Sequence, residues 1–205
     1  MIWPADYCGA RILELPPPRE LGPDPDSAMT MLANLVIQSC GNARPIIIFG
    51  HSLGGSMALA LSEYLRRAGE DDISVILSAV PKPREIATIS SAAVSGFVTR
   101  SLKGIFPRDV TPPQSYLKLL EGYIDQDLKV APWLSSVGCC HLDKVVGFLI
   151  GNDDLLCGED DLCWWLEVSP LVEFKCFEGG HFGYMDPDIA KIYRSFISRV
   201  SEQLG

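Results

Sequence analysis

The sequence predicts an α/β fold, a mostly parallel sheet with helices on both faces. Continuous apolar runs rich in β-branched residues stand at 46–49, 73–77 and 145–150, the pattern of strands buried on both faces. Stretches suited to helices lie between and after them, at about 55–68, 159–167 and 187–203, and strands alternating with helices make a parallel sheet. The composition, 47% hydrophobic and 21% charged over 205 residues, is that of one globular domain spanning 1–205. A chain of this size forms its core without disulfide or metal staples.

In chain order, Ile12-Leu13-Glu14-Leu15 reads as a short strand, and Pro16-Pro17-Pro18 stops it. A loop follows to about Pro25. Asp26 or Ser27 caps a helix whose apolar residues Met29, Leu32, Leu35, Val36 and Ile37 recur at threes and fours until Gly41. Pro45 introduces the first long apolar run. The run 172–177 alternates more than the others and suits a strand near the sheet edge. From 82 to about 138 the rhythm breaks: the pattern holds no strand but several helical pieces, 114–124 among them, separated by Pro107, Pro112 and Pro113. This predicts a helical lid insertion at about 82–138, lying over the carboxyl edge where open α/β sheets bind ligands.

Charge and cysteine usage exclude several functions. A formal net charge of −9 argues against nucleic acid or an anionic membrane surface as partner. No apolar run approaches the ~18 to 20 residues of a membrane span, and Met1-Ile2-Trp3-Pro4 has no basic leader, so a cytoplasmic location is expected. Seven cysteines, without a C-x-x-C pair, read as reduced and mostly buried thiols. Cys139-Cys140-His141 has no second cluster to complete a four-ligand site, so no metal is predicted.

The chemistry is carried by Gly50-His51-Ser52-Leu53-Gly54, a G-x-S-x-G motif that follows a buried strand and opens a helix near Gly55. That context is the one a nucleophile elbow requires. Both flanking glycines are expected to be needed, because side chains there would collide with neighbouring backbone. Ser52 is then the candidate nucleophile, and a serine hydroxyl needs a base to take its proton. Of the three histidines, His51 adjoins the nucleophile and is expected to point elsewhere, and His141 sits at the amino end of the third strand. His181 follows the last strand and so emerges at the same edge as Ser52. The acid that orients it is sought in Gly151-Asn152-Asp153-Asp154, after the strand 145–150. Asp154 is favoured, three residues after the glycine, with Asp153 as the alternative. The order serine, acid, histidine is that of α/β-hydrolases, and the Leu53 N–H supplies an oxyanion-hole donor.

These segments, with Gly55 and Glu178-Gly179-Gly180-His181-Phe182, resemble the type II thioesterases of nonribosomal-peptide and polyketide assembly lines. The likeness runs from about Trp3 to the end. Pro17-Pro18-Arg19-Glu20 stands where that family has Pro-Gly-Arg-Glu, 123–128 resembles its lid segment, and Trp164 or Trp165 resembles a residue of its acid-loop helix. The segment 77–82 carries no acid, so the later Asp153-Asp154 position is the one available, as in the type II group. The resemblance implies hydrolysis of an acyl group from the phosphopantetheine arm of an acyl or peptidyl carrier protein, or from CoA, without metal or redox cofactor. It also implies an editing role, clearing stalled acyl groups. One departure carries an expectation: the family's first strand and His-Ala-Gly-Gly-like loop, which donates a second oxyanion N–H, would stand upstream of Trp3. With the Leu53 donor alone, transition-state stabilisation should fall by about 3 kcal/mol and hydrolysis should be slow. Two rivals stand beside this expectation, a carboxylesterase or lipase on the same triad and a catalytically weak remnant that binds carrier protein.

Overall fold

Four parallel strands form the centre of the molecule in a computed structural model that describes residues 6–7, 10–11, 13–43, 45–86, 96–97, 113–138, 142–169 and 173–204. A short antiparallel pair, β1 (Asp6–Tyr7) and β2 (Ala10–Arg11), precedes them. The sheet runs β3 (Ile46–His51), β4 (Ile73–Ser78), β5 (Val145–Gly151) and β6 (Glu173–Phe177), in spatial as in chain order. Its strands coincide with the apolar runs of the sequence. Register is tight at the carboxyl edge, where His51 pairs with Ser78 and Gly151 with Phe177.

Helices cover both faces. On one side α1 (Pro25–Cys40) and α2 (Leu53–Arg67) share a core with Ile46, Ile48, Val75 and Leu77, which α6 (Glu159–Val168) extends through Trp165. On the other side α7 (Pro187–Leu204) brings Tyr193, Phe196 and Val200 against Ile76, Leu149 and Phe177. β4 is buried at all six positions, as a central parallel strand should be. β3 is not: Ile47 and Phe49 are half-buried, because α7 packs chiefly on β5 and β6. At the other end of the sheet β6 has the edge character its alternation predicted, with Phe174 exposed.

Several boundaries differ from expectation for local reasons. No strand forms over Leu13, Glu14 and Leu15, where Pro16 to Pro18 lie too close for a ladder to continue, and Ile12 lies outside the described residues. The cap of α1 is Asp24, whose carboxylate accepts the Ser27 N–H at 3.2 Å, and not Asp26 or Ser27. Pro25 follows it because a fixed φ suits the first helical position. α2 begins at Leu53, two residues earlier than its periodicity indicated. The segment at 82–138 contributes α3 (Pro83–Ile86), α4 (Gln114–Leu128) and α5 (Ala131–Gly138). Most of the rest of that insertion lies outside the described residues, as do Cys139, Cys140 and His141. The cysteines are less buried than expected: of the four described, Cys157 is buried, Cys40 half-buried, and Cys163 and Cys176 exposed. No helix among the described residues is long and apolar enough to cross a membrane.

Candidate active site

The carboxyl edge of the sheet gathers the chemistry-bearing residues. Ser52 occupies the turn between β3 and α2 with φ 53°, a left-handed conformation rare for a residue with a Cβ. Backbone bonds hold it there: its N–H donates to Ser78 O at 2.8 Å, and its carbonyl accepts the Gly55 N–H at 2.9 Å. Crowding explains Gly50, where an added Cβ would stand 2.3 Å from Gly54 O. It does not explain Gly54, where a Cβ would meet nothing within 4 Å. The second crowded glycine is Gly55, whose Cβ would lie 2.3 Å from Val80 Cγ2. Leu53 is the first residue of α2, so its N–H lacks an intrahelical acceptor and points with the positive end of the helix toward the edge.

Asp154 and His181 meet. His181 Nδ1 lies 2.9 Å from Asp154 Oδ2 and 3.1 Å from Oδ1, and both side chains are sealed from solvent, 1% and 0% exposed. Burial without other contacts would be costly for a carboxylate, and Asp154 Oδ1 also accepts the N–H groups of Leu156 and Cys157 at 2.8 and 3.0 Å. Asp153 makes no such contact. It is exposed, and it joins the site through its backbone N–H, which donates to Gly179 O at 3.0 Å.

The loops carrying acid and base are stitched together along their backbones. Asn152 N–H donates to Phe177 O at 3.0 Å, and Gly179 N–H donates to Asn152 Oδ1 at 3.1 Å. Gly151 permits this approach, since a Cβ there would stand 2.2 Å from Gly179 O. Trp165 and Asp161, both on α6, pin the segment after β4: the indole N–H donates to Val80 O at 2.7 Å, and Asp161 Oδ1 accepts the Lys82 N–H at 2.8 Å.

Among the described residues, three rings box in the His181 imidazole. Phe97 and Phe182 meet it edge to face, each at 5.2 Å between centroids, and His51 lies tilted against it at 4.8 Å. His51 therefore does not point away from the site, as its place on a sharp turn had suggested. Burial, and then the nearby His181, hold its ring well below the ordinary imidazole value of 6.5, so it is neutral. Phe97 carried no sequence signal, because it lies in the irregular insertion. It anchors a small apolar cluster with Phe182, Leu156 and the α4 residues Leu117, Leu120 and Ile124.

No curated protein sequence matches the chain significantly. Among solved structures, human thioesterase 2 superposes with a TM-score of 0.59 at 18% identity, over 85% of this chain and 82% of that one. ClbQ from the colibactin NRPS/PKS pathway gives 0.59 at 21%, over 86% and 76%. The thioesterase RedJ from the prodiginine biosynthetic pathway in Streptomyces coelicolor gives 0.58 at 19%, over 84% and 71%. At such identities these likenesses establish the α/β-hydrolase fold. The family model of the thioesterase domain matches residues 4–197, nearly the whole chain, and the protein is therefore a hydrolase belonging to the thioesterase domain family.

Proposed function

We propose that this thioesterase acts through Ser52, His181 and Asp154, and that its substrate is an acyl group on the phosphopantetheine arm of an acyl or peptidyl carrier protein. The observation that carries the proposal is the sealed Asp154–His181 pair, standing at the same sheet edge as the strained Ser52 turn. With Nδ1 held by the carboxylate, His181 presents Nε2 as the atom that takes the Ser52 proton. Ser52 Oγ then attacks the thioester carbonyl, and the Leu53 N–H faces the developing oxyanion. Collapse expels the thiol, protonated by the imidazolium. The acyl-enzyme is hydrolysed by a water that gives its proton to the same imidazole.

The apolar cluster around Phe97, Phe182 and α4 suits an acyl chain and suits 82–138 as a lid over a single catalytic unit spanning 1–205. Membership of the thioesterase domain family favours a thioester over a free oxygen ester, and a carrier-bound acyl group in the cytoplasm would give the enzyme an editing role. Rates on a carrier-bound acyl thioester, the matching acyl-CoA and a nitrophenyl ester of the same acyl group test the proposal. The expected order of kcat/KM is carrier first and nitrophenyl ester last. Preference for the oxygen ester would make the enzyme a carboxylesterase, and carrier binding without turnover would make it a catalytically weak remnant.

A further inference from the structure

His51 has no part in the chemistry proposed above, yet its side chain is held in place at the edge. Its Nδ1 lies 3.0 Å from Ser78 Oγ, which in turn lies 2.7 Å from the Tyr193 hydroxyl. Ser78 and Tyr193 are wholly buried, one at the end of β4 and the other on α7, so the relay crosses the sheet from beneath the elbow to the opposite helix layer. The ring also packs edge to face on Tyr184, at 4.6 Å between centroids. Among the described residues His51 Nε2 is buried without a hydrogen-bond partner.

The Ser78 hydroxyl bridges the two side chains, and so ties the His51 ring at the end of β3 to Tyr193 on α7.

The loop bearing His181 follows the edge strand β6, and its backbone is tied to the acid loop at Gly179. Asp154 fixes one edge of the imidazole, but a single contact leaves the ring free to swing about it. Of the three rings that restrain the swing, Phe97 belongs to the insertion and Phe182 to the same loop as His181. His51 alone of the three is rooted in the central sheet.

We propose that His51 is a positioning residue for His181: tethered through Ser78 to Tyr193, its ring braces one face of the base. The inference rests on His181 acting as the base. Misplacing a catalytic group by about 1 Å can cost on the order of a hundredfold in rate, and that scale sets the expected effect.

The test uses the full chain and an acyl-thioester substrate. In His51→Phe, which keeps a ring but removes both nitrogens, kcat should fall by roughly ten- to a hundredfold with KM unchanged. His51→Asn, whose amide can still hydrogen-bond to Ser78, should recover part of that loss. Tyr193→Phe, which frees the Ser78 hydroxyl to turn away, should lower kcat in the same direction. Proton NMR should show the deshielded His181 Nδ1 proton sharp in the parent and broadened in His51→Phe. A folded His51→Phe with parental kcat, or one whose loss falls wholly in KM, would overturn the proposal. Should His51→Phe not fold, parental kcat in both His51→Asn and Tyr193→Phe would do the same. Full activity in Ser52→Ala would instead overturn the assignment of the site itself.

Discussion

Ser52 is held in a conformation that costs about 1 to 3 kcal/mol, and the surrounding backbone bonds impose it. The G-x-S-x-G pattern made this residue legible in the sequence. The choice between Asp153 and Asp154 rested there only on an offset from Gly151, whereas the geometry joins Asp154 alone to His181. Asp154→Asn should therefore lower turnover by up to about ten-thousandfold, because a wrongly held imidazole cannot accept the serine proton. Asp153→Asn should leave turnover near the parental value, and steady-state rates of the two variants check both. His51 was misjudged because adjacency in sequence says nothing about which way a side chain leaves a turn. Its burial has a pH consequence. Because the folded ring is held below 6.5 while the unfolded one is not, the unfolded chain binds a proton as pH falls through about 6.5 and the folded chain does not. Stability is full above that pH and declines below it. The groups facing the ring are His181 with Asp154 behind it, Tyr184, and Tyr193 through Ser78. The melting temperature of the parent should drop on acidification from about pH 7 to 5, and that of His51→Asn should drop less.

At the level of elements, the site depends on two loops that touch through backbone. Gly151→Ala would drive a Cβ into Gly179 O, so the acid and base loops must part. Both the melting temperature and kcat should fall, whereas Gly54→Ala, with open space around its Cβ, should be milder in both. The lid helix α4 has its own anchor. Arg19 donates its backbone N–H to Asp127 Oδ1 at 2.8 Å and its guanidinium to Oδ2 at 3.1 Å, and the guanidinium also covers the Tyr123 ring at 4.6 Å. The sequence placed Arg19 and 123–128 in separate family-like segments, but no pattern in one dimension could pair residues 108 positions apart. Asp127→Ala should speed amide exchange in 114–128 and leave the sheet strands unchanged, and hydrogen-exchange mass spectrometry resolves the two regions. Helix boundaries were legible where a proline or glycine punctuates them, as at Gly41, and less so at α2, which starts on the strained turn itself.

For the whole molecule, alternation of apolar runs with helical stretches was enough to read the class and the strand positions, since strands buried in a parallel sheet write themselves as continuous β-branched runs. Leu13 to Leu15 failed because a short apolar run says nothing about whether a neighbouring strand is there to pair with. The rings around His181 were illegible because they arrive from three separate parts of the chain. Stability should be graded accordingly: exchange should be slowest in β4 and β5, which are buried on both faces, and faster in the helices at 114–138. All of this converges on one hydroxyl, and covalent labelling with a fluorophosphonate reports its reactivity without assuming a substrate. A single adduct is expected on the intact protein, mapping to Ser52, absent in Ser52→Ala and strongly slowed in His181→Ala. An unlabelled parent, or an adduct that survives Ser52→Ala, would contradict the proposed mechanism.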